Sequence, residues 1–376
     1  MNVLFISNDP LLFVEGSAVR ARMQNYATAI GELHILSRHT ENVDITEGAL
    51  TLHGRNKDKV TGWRALAQIG TELIGTYHIE IVSAQDPFEY GYVAMKAVQG
   101  TTAKLHIQIH TDFLSPWFTR TGIFRSPQVI MPLKNTLRRK IARRVLPKAN
   151  GIRVVSERIR DSLEVVYGSS IVTPTVLPIV PTRTVPQAVP FPVETTPFTL
   201  VTIGRLEPEK RIEDILVALA SIADRYPTIS LIVIGDGRER AKLEARAEEL
   251  KISSRVHFLG SRKDAWGLMR SGQGYIQASA YEGYGITLVE AALARVPIIT
   301  SDVGVVGEVF KGYDDVLVSP PGDPVNLAYH MIALIEDVSN REVRLRSAEH
   351  KAIEHVSKYQ DLPQLMASDL RSVLGV

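Results

Sequence analysis

The sequence predicts an α/β protein of two domains, each built on a Rossmann-like parallel sheet. Three observations carry this. The chain has 376 residues, more than one ordinary core accommodates. Short apolar runs alternate with helix-period segments in both halves, and the runs end in glycine, polar or acidic residues, as strands do where a parallel sheet opens its ligand crevice. Between the halves lie seven prolines, from Pro174 to Pro197. Proline continues neither a helix interior nor a ladder, so the boundary falls there.

The elements follow in order. "VLFIS" (3–7) reads as the first strand, "VRARMQNYATAI" (19–30) as a helix and "ELHIL" (32–36) as the second strand. "IEIVSAQ" (79–85), "KLHIQIHTD" (104–112) and "GIRVVSE" (151–157) are further strands. After the prolines the pattern restarts. "FTLVTIGR" (198–205) is a strand entering a turn, and "IEDILVALASIADRY" (212–226) its helix. "ISLIVIGDG" (229–237) is a strand and turn, and "RERAKLEARAEELK" (238–251) a solvated helix. "VHFLG" (256–260), "GYIQAS" (274–279), "PIITSDVG" (297–304) and "DVLVSPPGD" (315–323) complete the second sheet. The expected organisation is a domain over 1–180, a linker over 181–197, a domain over 198–355, and a last helix over 356–376 packing back on the first domain. Two domains facing across a cleft is the simplest architecture.

Composition narrows the function classes. Hydrophobic residues make up 45% and charged residues 22% of the chain, the profile of a soluble globular protein. There is no cysteine, which excludes disulfide frameworks, thiolate nucleophiles and thiolate metal sites. The N-terminus "MNVLFISNDP" lacks a basic flank and a cleavage site and reads as mature fold. No apolar run reaches the ~18 residues of a membrane span, so the expected location is cytoplasmic. The net charge of +2 is uneven: 22 Lys/Arg stand against 15 Asp/Glu in residues 1–190, and 21 against 26 in 191–376. That asymmetry points to an anionic partner for the first half, a membrane surface or an acidic acceptor.

Three stretches of the second half carry chemistry. "IGRLEPEKRIEDIL" puts Arg205 and Lys210 on a strand-to-helix loop, beside the free amides of a helix N-terminus. Two cations there suit a diphosphate, although two solvated charges explain the stretch equally well alone. "IGDGRER" offers Gly235 and Gly237 for close backbone approach, but it lacks a third glycine and is weak as a dinucleotide signature. "YEGYGITLVE" sets Glu282 before a glycine turn and Glu290 one helical turn beyond it. The amides of Gly285, Ile286 and Thr287 then form a second helix N-terminus for phosphate. Two carboxylates on either side can accept hydrogen bonds from sugar hydroxyls; a surface Glu290 and a loop Glu282 are the plainer alternative.

"GRLEPEKRIEDILVAL", "GDGRERAKLE", "VHFLG", "SAYEGYGITLVEAALARVPIITSDVG" and "PPGDPVNLA" occur in the order seen in the retaining glycosyltransferases of family GT4, which the chain resembles over essentially all of 198–330. The resemblance implies the GT-B fold. It implies that Arg205 and Lys210 bind the donor diphosphate, with Gly204 beside them. Glu282 would contact the transferred sugar and Glu290 the ribose hydroxyls. Gly285, Ile286 and Thr287 would touch the phosphates through their amides, and Leu259 and Gly260 would lie near the base. Cations at the phosphate fit a reaction that builds negative charge on the leaving group.

The first half resembles the family less tightly. Where the family often has a glycine-rich turn after the first strand, this sequence offers only Gly16 and Ser17. His110, at a strand end with Asp112 beside it, stands where the family often has an active-site histidine; a satisfied structural histidine is the alternative. Ser156 and Glu157 would face the cleft, or Ser156 would cap the next helix. No Asp-x-Asp occurs and no His pair stands at i, i+4 on a predicted helix, so no metal and no other cofactor is expected.

"KNTLRRKIARRVLPKANGIR" (134–153) is a basic helix. Leu133, Leu137, Ile141 and Val145 fall on one stripe, and Arg138, Arg139, Lys140, Arg143 and Arg144 occupy much of the rest. An anionic membrane or an acceptor is one partner for it, and packing on its own domain the other reading. Nucleic acid is disfavoured, because aromatic interleaving is missing. The sequence thus predicts a retaining hexosyltransferase acting from a UDP- or GDP-sugar on a sugar or lipid-linked acceptor hydroxyl, in envelope, exopolysaccharide or glycolipid synthesis. A nucleotide-sugar epimerase of the same fold and a non-catalytic nucleotide-sugar binding protein are the rivals.

Overall fold

The computed structural model describes residues 1–57, 62–120, 130–181 and 184–375, the side chains at 120 and 130–132 excepted. The chain divides into two compact units. One comprises Met1–Leu114, Ile130–Pro178 and Tyr359–Val376, the other Ser115–Val129 and Ile179–Lys358.

The first unit contains β1 (Asn2–Ser7), α1 (Ala18–Ile30), β2 (Glu32–Arg38), β3 (Val43–Glu47), β4 (Leu50–Arg55), α2 (Gly62–Thr76), β5 (Ile81–Ala84), α3 (Glu89–Ala97) and β6 (Lys104–Ile109). A short α4 (Trp117–Arg120) follows and belongs to the second unit. The first unit resumes with α5 (Ile130–Val145), β7 (Gly151–Val154), α6 (Glu157–Tyr167) and β8 (Thr175–Val176). Its eight strands run β3-β4-β2-β1-β5-β6-β7-β8. All neighbours are parallel except β3 on β4, an antiparallel edge hairpin. β1 is flanked by β2 on one side and β5 on the other, so the direction of winding reverses between β1 and β5.

The second unit contains β9 (Phe198–Ile203), α7 (Ile212–Ile222), β10 (Ile229–Ile234), α8 (Arg240–Glu249), β11 (Val256–Gly260), α9 (Ala265–Met269), β12 (Gly274–Gln277), α10 (Ile286–Leu293), β13 (Ile298–Ser301), β14 (Leu317–Ser319), α11 (Pro324–Glu336) and α12 (Val338–Lys358). The order β11-β10-β9-β12-β13-β14 is parallel throughout. β10, "ISLIVI", is buried at every position, as a strand covered by helices on both faces must be. Leu200, Leu231 and Ile276 of the sheet pack with Ile215 and Leu219 of α7 and Met331 of α11. Here the winding reverses between β9 and β12. In doubly wound sheets ligands bind beyond the carboxyl ends of strands at such a reversal, which directs attention to the residues after Ile203 and after Gln277.

Several details depart from the sequence reading. The strands and helices of the second half are shorter than the runs that signal them: β14 covers three residues of 315–323. The segment expected as a linker is packed along its described part. Val189 donates its amide to Gly267 O at 3.0 Å, Ser271 Oγ donates to Val189 O at 2.7 Å and Arg270 Nη1 to Pro186 O at 2.9 Å. Proline bars this stretch from ladders, but its carbonyls still accept side-chain and backbone donors. Thr182 and Arg183 lie outside the described residues. The final stretch is not one helix from 356. α12 stops at Lys358, and α13 (Leu362–Leu374) begins anew behind an Asp361 cap that accepts the Gln364 amide at 3.1 Å. Met366, Ala367 and Leu370 of α13 join Val3, Phe5 and Ile35 in the core of the first unit.

Candidate active site

In the second unit the two turns beyond β9 and β12 meet. Gly204 and Arg205 follow β9, and Lys210 closes the next short turn. Glu209 of that turn accepts the Ala280 amide on its carbonyl at 2.7 Å, joining the two loops. Lys210 Nζ donates to Glu282 Oε1 at 2.5 Å, and Ser279 Oγ donates to the same oxygen at 2.7 Å. A lysine ammonium has three donors and a carboxylate about four acceptor positions. The pair therefore orders both side chains and leaves each with capacity for a ligand. Arg205 Nη2 reaches Glu209 Oε1 at 3.2 Å, while its side chain stays 75% exposed.

The glycine turn behaves as its spacing implies. Gly285 sits at φ +85°, left-handed, and caps α10, a conformation that glycine adopts without penalty. The first-turn amides after it, at Ile286 and Thr287, have no intrahelical acceptor and carry the positive end of the helix dipole. Thr287 differs in its side chain, whose Oγ1 donates to Gln277 Oε1 at 3.0 Å. Glu290, one turn further on, is half-buried, and burial pushes its carboxyl up to about 7. Its carbonyl accepts Trp266 Nε1 at 2.9 Å, but its carboxylate has no hydrogen-bond partner among the described residues. A desolvated carboxylate without a partner is a candidate functional position.

Close backbone packing shapes the floor. A Cβ on Gly235 would stand 1.9 Å from Gly204 O, and the Gly235 amide donates to Gly260 O at 2.8 Å. The ends of β9, β10 and β11 are thereby drawn together, with Leu259 half-buried at the margin.

The sequence reading missed four participants. Gln277 orients Thr287 and also accepts Tyr275 OH at 3.0 Å. Ser279 braces Glu282. Gly304, at φ +57°, would place a Cβ 2.2 Å from Tyr284 O, so only glycine lets the loop after β13 lie against the turn. Tyr284 OH meets His355 Nε2 of α12 at 2.8 Å. Ser279 and Tyr284 lie inside the quoted motif, but nothing in the spacing of Tyr284 reveals a partner 71 positions away.

The first unit holds the other expected residues. His110 follows β6, and Gln108 Oε1 accepts its Nε2 at 3.3 Å. Burial, then the charges of Arg153 and Arg22, lower its pKa to about 3. It is a neutral imidazole with its proton on Nε2, since a carbonyl oxygen only accepts. Gln108 also accepts Arg153 Nη1 at 2.9 Å and donates to Ser83 Oγ at 3.0 Å. Ser83 bonds His106 Nδ1 at 2.8 Å, and His106 Nε2 meets Asp369 of α13 at 3.1 Å. Asp112 is buried, and its charge acts on Arg139. Gly16 is left-handed at φ +72° in open space. Ser17 caps α1, accepting the Arg20 amide at 3.1 Å and donating to Leu11 O at 2.6 Å, so its hydroxyl is committed to the cap. Ser156 likewise caps α6 through the Ile159 amide at 3.4 Å, and Glu157 pairs with Arg160.

On α5 the expected apolar stripe is turned. Val145 is buried, but Leu133 and Leu137 are exposed, and Asn135 and Ala142 face inward. The physical reason is that two cations find acceptors on the domain. Arg138 Nε donates to the Glu89 carboxylate at 3.0 Å and lies over the Phe88 ring, while Arg139 Nε donates to Phe113 O at 2.7 Å. Lys140, Arg143 and Arg144 remain exposed. Among the described residues no cluster of His, Asp and Glu could hold a metal ion, and no helix is long and apolar enough to cross a membrane.

A profile of the family described as glycosyl transferases group 1 matches residues 188–351. Glycogen synthase from Mycobacterium tuberculosis is 27% identical over 159 residues, 42% of this chain and 38% of that protein; the chain thus spans well under half the length of this relative. Sucrose-phosphate synthase from Thermosynechococcus elongatus superposes with a TM-score of 0.80 at 16% identity, over 100% of this chain and 99% of that one. Anabaena Alr3699/HepE, solved with UDP and glucose, superposes at 0.72 with 18% identity, over 99% and 100% of the two chains. Residues 188–351 thus match the glycosyl transferases group 1 family, and the chain as a whole has the two-domain GT-B fold.

Proposed function

We propose that this protein is a retaining glycosyltransferase that moves a hexose from a nucleoside-diphosphate sugar to an acceptor hydroxyl. The observation that carries the reading is the unpaired, half-buried carboxylate of Glu290 one turn below the amides of α10, with the Lys210–Glu282 pair in the adjoining loop. In this reading the diphosphate lies against the Gly285–Thr287 amides, Glu290 accepts the ribose hydroxyls, and Glu282 accepts a hydroxyl of the sugar. Arg205 and Lys210 stabilise the charge that grows on the departing phosphate, where fixed cations lower the barrier most. They do the work of a divalent ion, so turnover persists in a chelator. Neutral His110 donates through Nε2 only to Gln108 and offers Nδ1 as an acceptor for a sugar hydroxyl. UDP is favoured over GDP as the donor nucleotide by the relative solved with UDP and glucose. The acceptor is a sugar or lipid-linked saccharide of envelope, exopolysaccharide or glycolipid synthesis. Retention of configuration rests on the family resemblance.

The test is turnover of a panel of UDP- and GDP-sugars without acceptor, followed by mass spectrometry. Slow release of nucleoside diphosphate and free sugar from one donor is the expected result. An isomerised donor would replace this reading with an epimerase. Binding without chemistry, even after a panel of saccharide acceptors is added, would reduce the protein to a nucleotide-sugar binder.

A further inference from the structure

We propose that the outward face of α5 docks this protein on an anionic lipid bilayer. The helix has two unlike faces. Asn135, Ala142 and Val145 are buried against the unit, and the Arg138 and Arg139 guanidinium groups are drawn inward to Glu89 and Phe113 O. On the opposite face Leu133 is 68% exposed and Leu137 55% exposed. They stand at i and i+4, so they project side by side. Lys134, Lys140, Arg143 and Arg144 surround them, all exposed and without an ion pair among the described residues.

A soluble helix that merely solvates its basic side has no reason to place two leucines at the centre of the cations. A planar anionic surface accounts for both features. The leucines enter the acyl boundary together, and the long cationic stems reach up to the headgroups around them. The helix has 16 residues, about 24 Å of axis, enough to lie along the surface over several headgroups. The charge excess of residues 1–190 has the matching sign. A nucleic acid would leave the leucines unused, and this face carries no aromatic platform for bases. An acidic protein partner would have to supply a groove for this convex face.

Co-sedimentation of the full chain with vesicles tests this. The protein should bind phosphatidylglycerol-rich vesicles, release them at high salt and ignore pure phosphatidylcholine. Each cation near the surface contributes about fivefold in affinity, so Lys140→Gln with Arg144→Gln should weaken binding more than tenfold. Leu133→Ser with Leu137→Ser keeps the charge and should also weaken it at least tenfold. Both pairs are exposed, so melting temperature should be unchanged. Absence of binding to the anionic vesicles, equal binding to neutral ones, or full binding by the leucine variant would overturn the proposal. It stands apart from the transferase reading, which calorimetry of UDP binding to the same variants reports separately.

Discussion

Glu290 and Lys210 make the sharpest statements about single residues. The Glu290 carboxyl keeps its proton in the fold up to about pH 7 because burial penalises the anion. In the unfolded chain an ordinary glutamate loses it near about 4.3. The stability this group contributes is therefore full below the unfolded value and lost as pH rises through about 7. Glu290→Gln cannot lose it. The melting temperature of the variant should gain on the parent as pH climbs, and a constant difference would refute the burial argument. Ligand binding should run the other way. A ribose donates best to the anion, so UDP affinity of the parent should tighten on crossing neutrality, and Glu290→Gln should bind weakly and without that pH dependence. Calorimetry across the same pH range measures both. Lys210→Ala removes one cation and frees Glu282 from its counter-charge. Loss of one such stabilising donor costs on the order of a hundred- to a thousandfold in kcat, with the fold intact; near-normal turnover would remove Lys210 from the phosphate. The motif spacing made these residues legible because cations and carboxylates were packed around glycines that the turns require. Gln277 and Ser279 were not legible, since a polar residue at the end of a buried strand looks the same whether or not it braces a ligand-binding group.

Among the elements, α10 and its preceding turn are held from behind. Gly304 presses on Tyr284 O, the Val305 amide donates to the same carbonyl at 2.9 Å, and the Tyr284 hydroxyl reaches His355 of α12. These contacts fix the loop bearing Glu282 and Gly285. Gly304→Ala combines a left-handed backbone with a steric overlap, a cost on the order of 1–3 kcal/mol or more, and the loop must shift to relieve it. The expected outcome is a lower melting temperature together with a raised KM for the donor. Tyr284→Phe removes one hydrogen bond of about 1 kcal/mol and should change KM far less than Gly304→Ala. Equal kinetics in the two variants would mean that the loop is not positioned by this contact. The strands and helices of the second unit were legible because every apolar run ended in a glycine or polar turn. α5 was not, because a leucine stripe signals burial in most helices. Here Arg138 and Arg139 have their acceptors on the domain and turn Leu133 and Leu137 outward.

At the scale of the molecule, the chain's last helix belongs to its first unit. α13 places Met366 and Leu370 in the core begun by β1, and Asp369 beside His106, 263 positions earlier. Two Rossmann-like domains were evident from periodicity and from the proline cluster. The polar chain Asp369–His106–Ser83–Gln108, which ends on His110 and Arg153, was invisible. In a strand buried on both faces, period-two patterning no longer says which polar residue finds a partner, and no local rule links two segments so distant. The chain has a mechanical consequence. Against the upward push of burial, the hydrogen bond and charge of His106 hold the Asp369 carboxyl below its usual range. Removing Asp369 leaves the buried His106 Nε2 without that partner, at a cost of about 1–3 kcal/mol. Asp369→Ala should therefore lower the melting temperature of the first unit by several degrees or more and loosen the Gln108 contact that fixes the His110 tautomer. On the proposed reading, in which the donor nucleotide lies against Gly285–Thr287 and Glu290, UDP binding should persist while transfer falls. Should the variant melt like the parent, or lose UDP binding and transfer together, Asp369 would have no specific part in ordering His110.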